Sequence, residues 1–151
     1  MHFKFSGAHV TEFINLWCDF CNKLVEQGDI KKLIPIFIEL YVVGERNKDL
    51  DKVIINIFEN FSIETVLELT DSQNIALIKS SYCHYKFINN NFTVSDEFST
   101  SSIVDARRLL QNNETEDRGW LVVRRSLALC KNKDLARESL SGVITELGVK
   151  S

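Results

Sequence analysis

Apolar residues recur along this chain at steps of three and four, the period of one face of an α-helix rather than the alternation of a strand. Val10, Phe13, Ile14, Trp17, Phe20, Cys21, Leu24 and Val25 make the first run, and Gly28-Asp29 ends it. Ile30, Leu33, Ile34, Phe37, Ile38, Tyr41 and Val42 make the second. Pro35 lacks an N–H and crowds the turn before it, so this helix is expected to start near Lys32 or to kink there. The third run goes from Asp49 through Leu50, Val53, Ile54, Ile57 and Phe58 to Phe61. Ser62 is placed to cap a short helix holding Ile63, Val66, Leu67 and Leu69. Ser72 is placed to cap another with Ile75, Ile78, Tyr82 and Tyr85 inward. Asn89 to Thr100 has no helical period and reads as a loop. Ser101 or Ser102 opens a helix to about Gln111, and Asn112 to Asp117 form an acidic turn. Trp120, Val123, Leu127 and Cys130 then line a stripe, and Leu135 to Leu147 close the chain before Gly148, a residue suited to the helix C′ position.

A single Pro and six Gly in 151 residues leave few breakers, which favours long helices over the many turns of a β domain. The predicted fold class is therefore all-α, with six to eight helices in one domain, 1–151.

One internal identity stands out. Asn47-Lys48-Asp49-Leu50 returns as Asn132-Lys133-Asp134-Leu135, 85 positions later. Each copy follows an amphipathic run and opens another, and an Asp in such a turn can cap the following helix. The spacing is about twice the ~40–47-residue period of helical-hairpin repeats. Ile75 to Phe92, half-way along, is again a helix-like run ending in polar Asn89-Asn90-Asn91. The final stretch, Asp134 to Gly148, resembles the second helix of a HEAT-type repeat, where small residues allow close stacking. With the two Asn-Lys-Asp-Leu turns, that resemblance covers about a third of the chain. It implies a short HEAT/armadillo-like right-handed stack, acting as a scaffold with an elongated binding surface and no catalysis of its own. The alternative is an irregular helical bundle. The length, the all-helical pattern and Arg118-Gly119-Trp120 resemble small Bcl-2-like folds.

Composition adds a direction. Hydrophobic residues make up 44% and charged residues 26%, the balance of a globular chain. There is no secretory pattern at the start and no run of ~18 apolar residues, so an intracellular location, cytoplasmic or nuclear, without a membrane span is expected. The formal charge is −3, yet residues 101–151 carry nine Lys and Arg against seven Asp and Glu. The first hundred carry nine against fourteen. The last third is the basic end of an acidic protein.

That basic end supplies the candidate site. Arg118 and Arg125 are seven apart, as are Arg124 and Lys131, so on one helix each pair projects from nearly one face beside Trp120. Arg107 and Arg108 precede them. Guanidinium forks suit an acidic peptide or phosphates, while Glu114, Glu116 and Asp117 would neutralise a merely solvated face. The expected function is protein–protein interaction, an adaptor face taking a partner helix or acidic peptide through Arg118, Trp120, Arg124 and Arg125. A nucleic-acid-binding subunit using the same arginines is the alternative, weakened by the negative total charge. A short stack with uncovered end helices also tends towards a homo-oligomer or larger assembly.

Catalytic chemistry is less well marked. Cys18-Asp19-Phe20-Cys21 is a C-x-x-C that Cys83 and His84 would complete as a Cys₃His zinc set. Its three-residue spacing is equally that of two core positions on a helix, and no second C-x-x-C or H-x₃₋₅-H follows. Neighbouring Cys83 and His84 point about 100° apart on a helix and cannot readily act as nucleophile and base. No phosphate loop, nucleophile elbow or metalloprotease motif is present. The sequence thus predicts no enzyme, no cofactor and no metal. A small enzyme around His84, Glu64 or Glu68 stands as a third reading.

Overall fold

The computed structural model describes residues 7–44, 47–89 and 96–148, with side chains from residue 10 and, in the last segment, from residue 98. Nine helical segments occur among them. They are α1 (Gly7–Gln27), α2 (Ile30–Val43), α3 (Lys48–Asn60), α4 (Ile63–Glu68), α5 (Ile75–Ile88), α6 (Asp96–Asp105), α7 (Arg107–Leu110), α8 (Glu116–Leu129) and α9 (Lys133–Glu146). The single turn α7 continues α6 after one residue, so counted together they give eight helices, with no strand. The all-α expectation of six to eight helices holds. Within the span 1–151 the chain forms two compact units, Met1–Leu69 and Thr70–Ser151.

In the N-terminal unit, α1 packs against both α2 and α3. Gly28 adopts φ 69°, a left-handed conformation that costs glycine little, and reverses the chain between α1 and α2. Asp29 caps α2 by accepting from the N–H of Lys32 at 3.3 Å. The helix therefore starts at Ile30, earlier than the Pro35 argument places it, and Pro35 lies inside it. The reason is that a cap and a strongly apolar face, with Leu33, Ile34, Phe37, Ile38 and Tyr41 buried, outweigh one missing N–H. Asn47 caps α3, its side-chain oxygen accepting from Asp49 N at 2.9 Å and Leu50 N at 3.1 Å. An amide pair ties α3 to α1: Asn56 Nδ2 donates to Asn22 Oδ1 at 2.9 Å. Ser62 caps α4 through Thr65 N, as its position in the sequence suggests.

In the C-terminal unit α6 is the central element, packed against α5, α8 and α9. The interior is unusually rich in hydroxyls. Ser102 donates to the carbonyl of Ser99 at 2.6 Å and hydrogen-bonds the Ser126 hydroxyl at 2.7 Å, across the α6–α8 contact. Small buried side chains let the helices approach closely without orphaning these polar groups. Lys79 of α5 reaches Asp105 of α6 at 2.5 Å and Ser101 at 2.7 Å, with only 18% of its side chain exposed.

Three local expectations need correction here. Ser72 does not cap α5; residues Ser72–Asn74 form a 3₁₀ turn and α5 starts at Ile75 without a side-chain cap. The inward face of α5 carries Ala76, Leu77, Ile78, Ser80, Ser81 and Cys83, while Tyr82 and Tyr85 are half-buried and pair with each other. The predicted loop 89–100 is helical from Asp96, with Ser99 and Thr100 buried; residues 90–95 lie outside the described residues. Small hydroxylated residues hide a helical period because Ser and Thr count as polar in the pattern yet bury well once hydrogen-bonded.

Candidate functional site

Among the described residues the most exposed apolar surface belongs to α1, where Phe13, Trp17 and Phe20 come from the run read as core and Leu16 lies outside it. Ile14, Cys18, Cys21, Leu24 and Val25 are buried. Phe13, Leu16, Trp17 and Phe20 are 49%, 65%, 39% and 40% exposed. The three aromatics form an edge-to-face ladder, Phe13 to Trp17 with centroids 6.1 Å apart and Trp17 to Phe20 at 5.9 Å. Edge-to-face contact holds the rings in place and leaves their outer faces available. Beside them α2 contributes Pro35, Ile36, Glu39, Leu40 and Val43, and the groove between the helices has a volume of about 540 Å³. At its other end Ile36 meets Leu16, Trp17 and Phe20.

The arginine cluster is arranged differently from its sequence pattern. On α8 the buried face is Gly119, Val122, Val123 and Ser126, continued by Cys130, so the stripe is centred one residue before Trp120, which is 42% exposed. At about 100° per residue, Arg118 and Arg125 lie on one flank of that face, and Trp120 with Arg124 on the other. The helix separates the residues expected to act together. Arg118 and Arg125 are half-buried, and Nη2 of Arg125 lies out of solvent. Arg107 is engaged with Glu146 of α9 at 2.6 Å. Arg108, Arg124 and Lys131 are exposed. Lys133 of the repeated turn donates to the Leu127 carbonyl at 2.5 Å and closes the C-terminal end of α8.

All four cysteines are buried free thiols. Burial pushes Cys18 up to about 12, with Cys21, Asp49 and Asp19 adding to it, and pushes Cys21 up to about 11. Cys83 is raised to about 11, again first by burial, with Ser99 Oγ 3.7 Å from its sulfur opposing the shift. Protonated buried thiols are poor nucleophiles and poor metal ligands. Among the described residues no three His, Cys, Asp or Glu side chains gather in a metal-holding group, and no helix is long and apolar enough to cross a membrane. His84 is half-buried on α5, while Glu64 and Glu68 are exposed on α4.

Compared with known proteins, the chain matches no family model, no curated protein and no solved structure.

Proposed function

We propose that this chain is a protein-interaction module whose recognition surface is the α1–α2 face of the N-terminal unit. The observation that carries the reading is the run of four partly exposed large apolar side chains, Phe13, Leu16, Trp17 and Phe20, beside an apolar groove. Contiguous exposed apolar surface is costly to leave in water, and burying each such side chain is worth ~1.5–3 kcal/mol. Trp in a desolvated pocket is the commonest type of interface hot spot. The stripe spans two helical turns, the footprint of one partner helix laid in a groove. The arginines of α8 do not share one face and form no part of this recognition surface.

The test is site-specific photo-crosslinking from position 16 in cells, with position 52 as control. Leu16 is 65% exposed and Lys52 lies exposed on α3, so neither substitution disturbs packing. Discrete protein adducts at position 16 and none at position 52 are expected. Adducts to nucleic acid, or none at position 16, refute the reading.

A further inference from the structure

The helices of the C-terminal unit are unequally held. α8 packs against α5, α6 and α7, and α6 lies among α5, α8 and α9, whereas α9 rests chiefly on α6 with a lesser contact to α8. Among the 14 residues of α9 the buried side chains are Ala136 and Val143, while Leu135, Leu140, Ile144 and Leu147 are half-buried. A methyl and an isopropyl group are a small hydrophobic anchor. The polar ties are as light. Arg107 meets Glu146 at 2.6 Å with both side chains substantially exposed, and exposed ion pairs contribute little. Asn132 caps α9 with one bond, from Leu135 N at 3.1 Å. α9 is also a poor helix by itself. Gly142 stands inside it with nothing within 4 Å of an added Cβ, and β-branched Val143, Ile144 and Thr145 follow. At 14 residues an isolated helix is marginal in water, so an α9 lifted off α6 melts.

The packing of α6 shows what α9 covers. Ser102 faces α8 through Ser126, and Ser101 and Asp105 face Lys79 of α5. At about 100° per residue, the side left for α9 holds Thr100, Ile103 and Arg107, and Arg107 meets Glu146 there. Thr100 and Ile103 are buried. Removing α9 breaks neither the Lys79–Asp105 pair nor the Ser102–Ser126 hydrogen bond, so the contacts of α6 with α5 and α8 do not depend on it. We infer that α9 is a detachable latch: the C-terminal unit opens by releasing and melting α9 while α5, α6, α7 and α8 stay folded, which uncovers the Thr100–Ile103 strip of α6. The device belongs to the C-terminal unit and is independent of the α1–α2 surface.

The test is native-state hydrogen exchange of the full chain at low urea concentrations, read by mass spectrometry on peptides of α8 and α9, for wild type and Gly119→Ala. The amides of α9 are expected to exchange as one group, with protection at least about tenfold lower than in α8. Urea should speed α9 exchange slightly and α8 exchange steeply, because release of one helix exposes far less surface than unfolding of the unit. Gly119→Ala separates the two openings. A Cβ there crowds Leu110 across the α7–α8 contact, which the open-latch form retains. The variant should speed α8 exchange about fivefold and leave α9 exchange unchanged. Equal protection and equal urea slopes in the two helices overturn the inference, as does equal acceleration of both by Gly119→Ala. Protection in α9 that falls off gradually along the helix also overturns it, since that is end fraying with Ala136 and Val143 still docked.

Discussion

Gly119 on α8 is where a methyl group should do opposite things by two physical routes, and the structure decides between them. In a helix Gly→Ala gains up to ~1 kcal/mol from reduced backbone entropy. A Cβ at Gly119, however, would lie 2.7 Å from both Cγ and Cδ2 of Leu110 and 3.1 Å from the Leu110 backbone nitrogen, well inside the usual 3.5–4.0 Å carbon contact. Leu110 is 9% exposed and has little room to turn, and its N–H is held by the Ala106 carbonyl at 3.0 Å. The overlap must move α8 away from α7, an overpacking that costs ~1–3 kcal/mol. Gly119→Ala should therefore destabilise the C-terminal unit by about 1 kcal/mol net. Gly142 of α9 is the matched control: nothing lies within 4 Å of its added Cβ, so Gly142→Ala should stabilise by ~0.5–1 kcal/mol. Urea unfolding followed by Trp120 fluorescence in a Trp17→Phe background reads this unit directly, through the midpoint at constant m-value. A Gly119→Ala protein as stable as wild type, or raised as Gly142→Ala is, would show that α7 and α8 are not in backbone contact and refute the packing described.

Two further predictions concern helix capping and the buried thiols. Asn47 takes two backbone N–H groups and Asn132 one, from Leu135 at 3.1 Å, so Asn47→Ala should cost ~1–2 kcal/mol and Asn132→Ala less, in urea midpoints. Equal losses would disprove the capping account. Cys18 and Cys21 stay protonated in the folded unit to about pH 12 and 11, whereas the unfolded chain ionises near 9.0. Their contribution is whole below pH 9 and is lost as pH rises from there towards the folded values, at ~1.4 kcal/mol per pH unit per thiol. Urea midpoints between pH 8 and 10.5 should fall less steeply in Cys18→Ala/Cys21→Ala, and an unchanged slope would mean the thiols are not buried as described.

The helices themselves were readable because local signals agree with one another. Gly28 and Gly148 both adopt left-handed φ where the periodic runs end, and Ser62 caps where it stands. The repeated tetrapeptide did mark helix starts, but the capping residue is Asn47 or Asn132 rather than the Asp two positions on. An Ncap needs the extended backbone seen at both Asn residues, at ψ 126° and 95°, which a residue already inside the helix cannot supply. The faces were less readable. In α5 and α6 buried serines replace apolar residues, and in α8 the deep position is Gly119, which no hydrophobicity pattern marks. The relative placement of the arginines was hard to read for the same reason. Seven-residue spacing correctly joins Arg118 to Arg125, but their side relative to Trp120 depends on a buried face centred on a glycine.

The α1 groove was hidden by an excess of signal rather than a lack of it. From Leu16 through Phe13 and Trp17 to Cys18, the apolar positions of α1 cover an arc of roughly 200° on the helical wheel, where a helix packed on one side of a core needs ~100°. α2 and α3 cover the half holding Ile14, Cys18, Cys21 and Val25. The other half has no counterpart among the N-terminal unit's described helices. That half is the exposed apolar stripe of Phe13, Leu16, Trp17 and Phe20 from which the interaction-module proposal is argued.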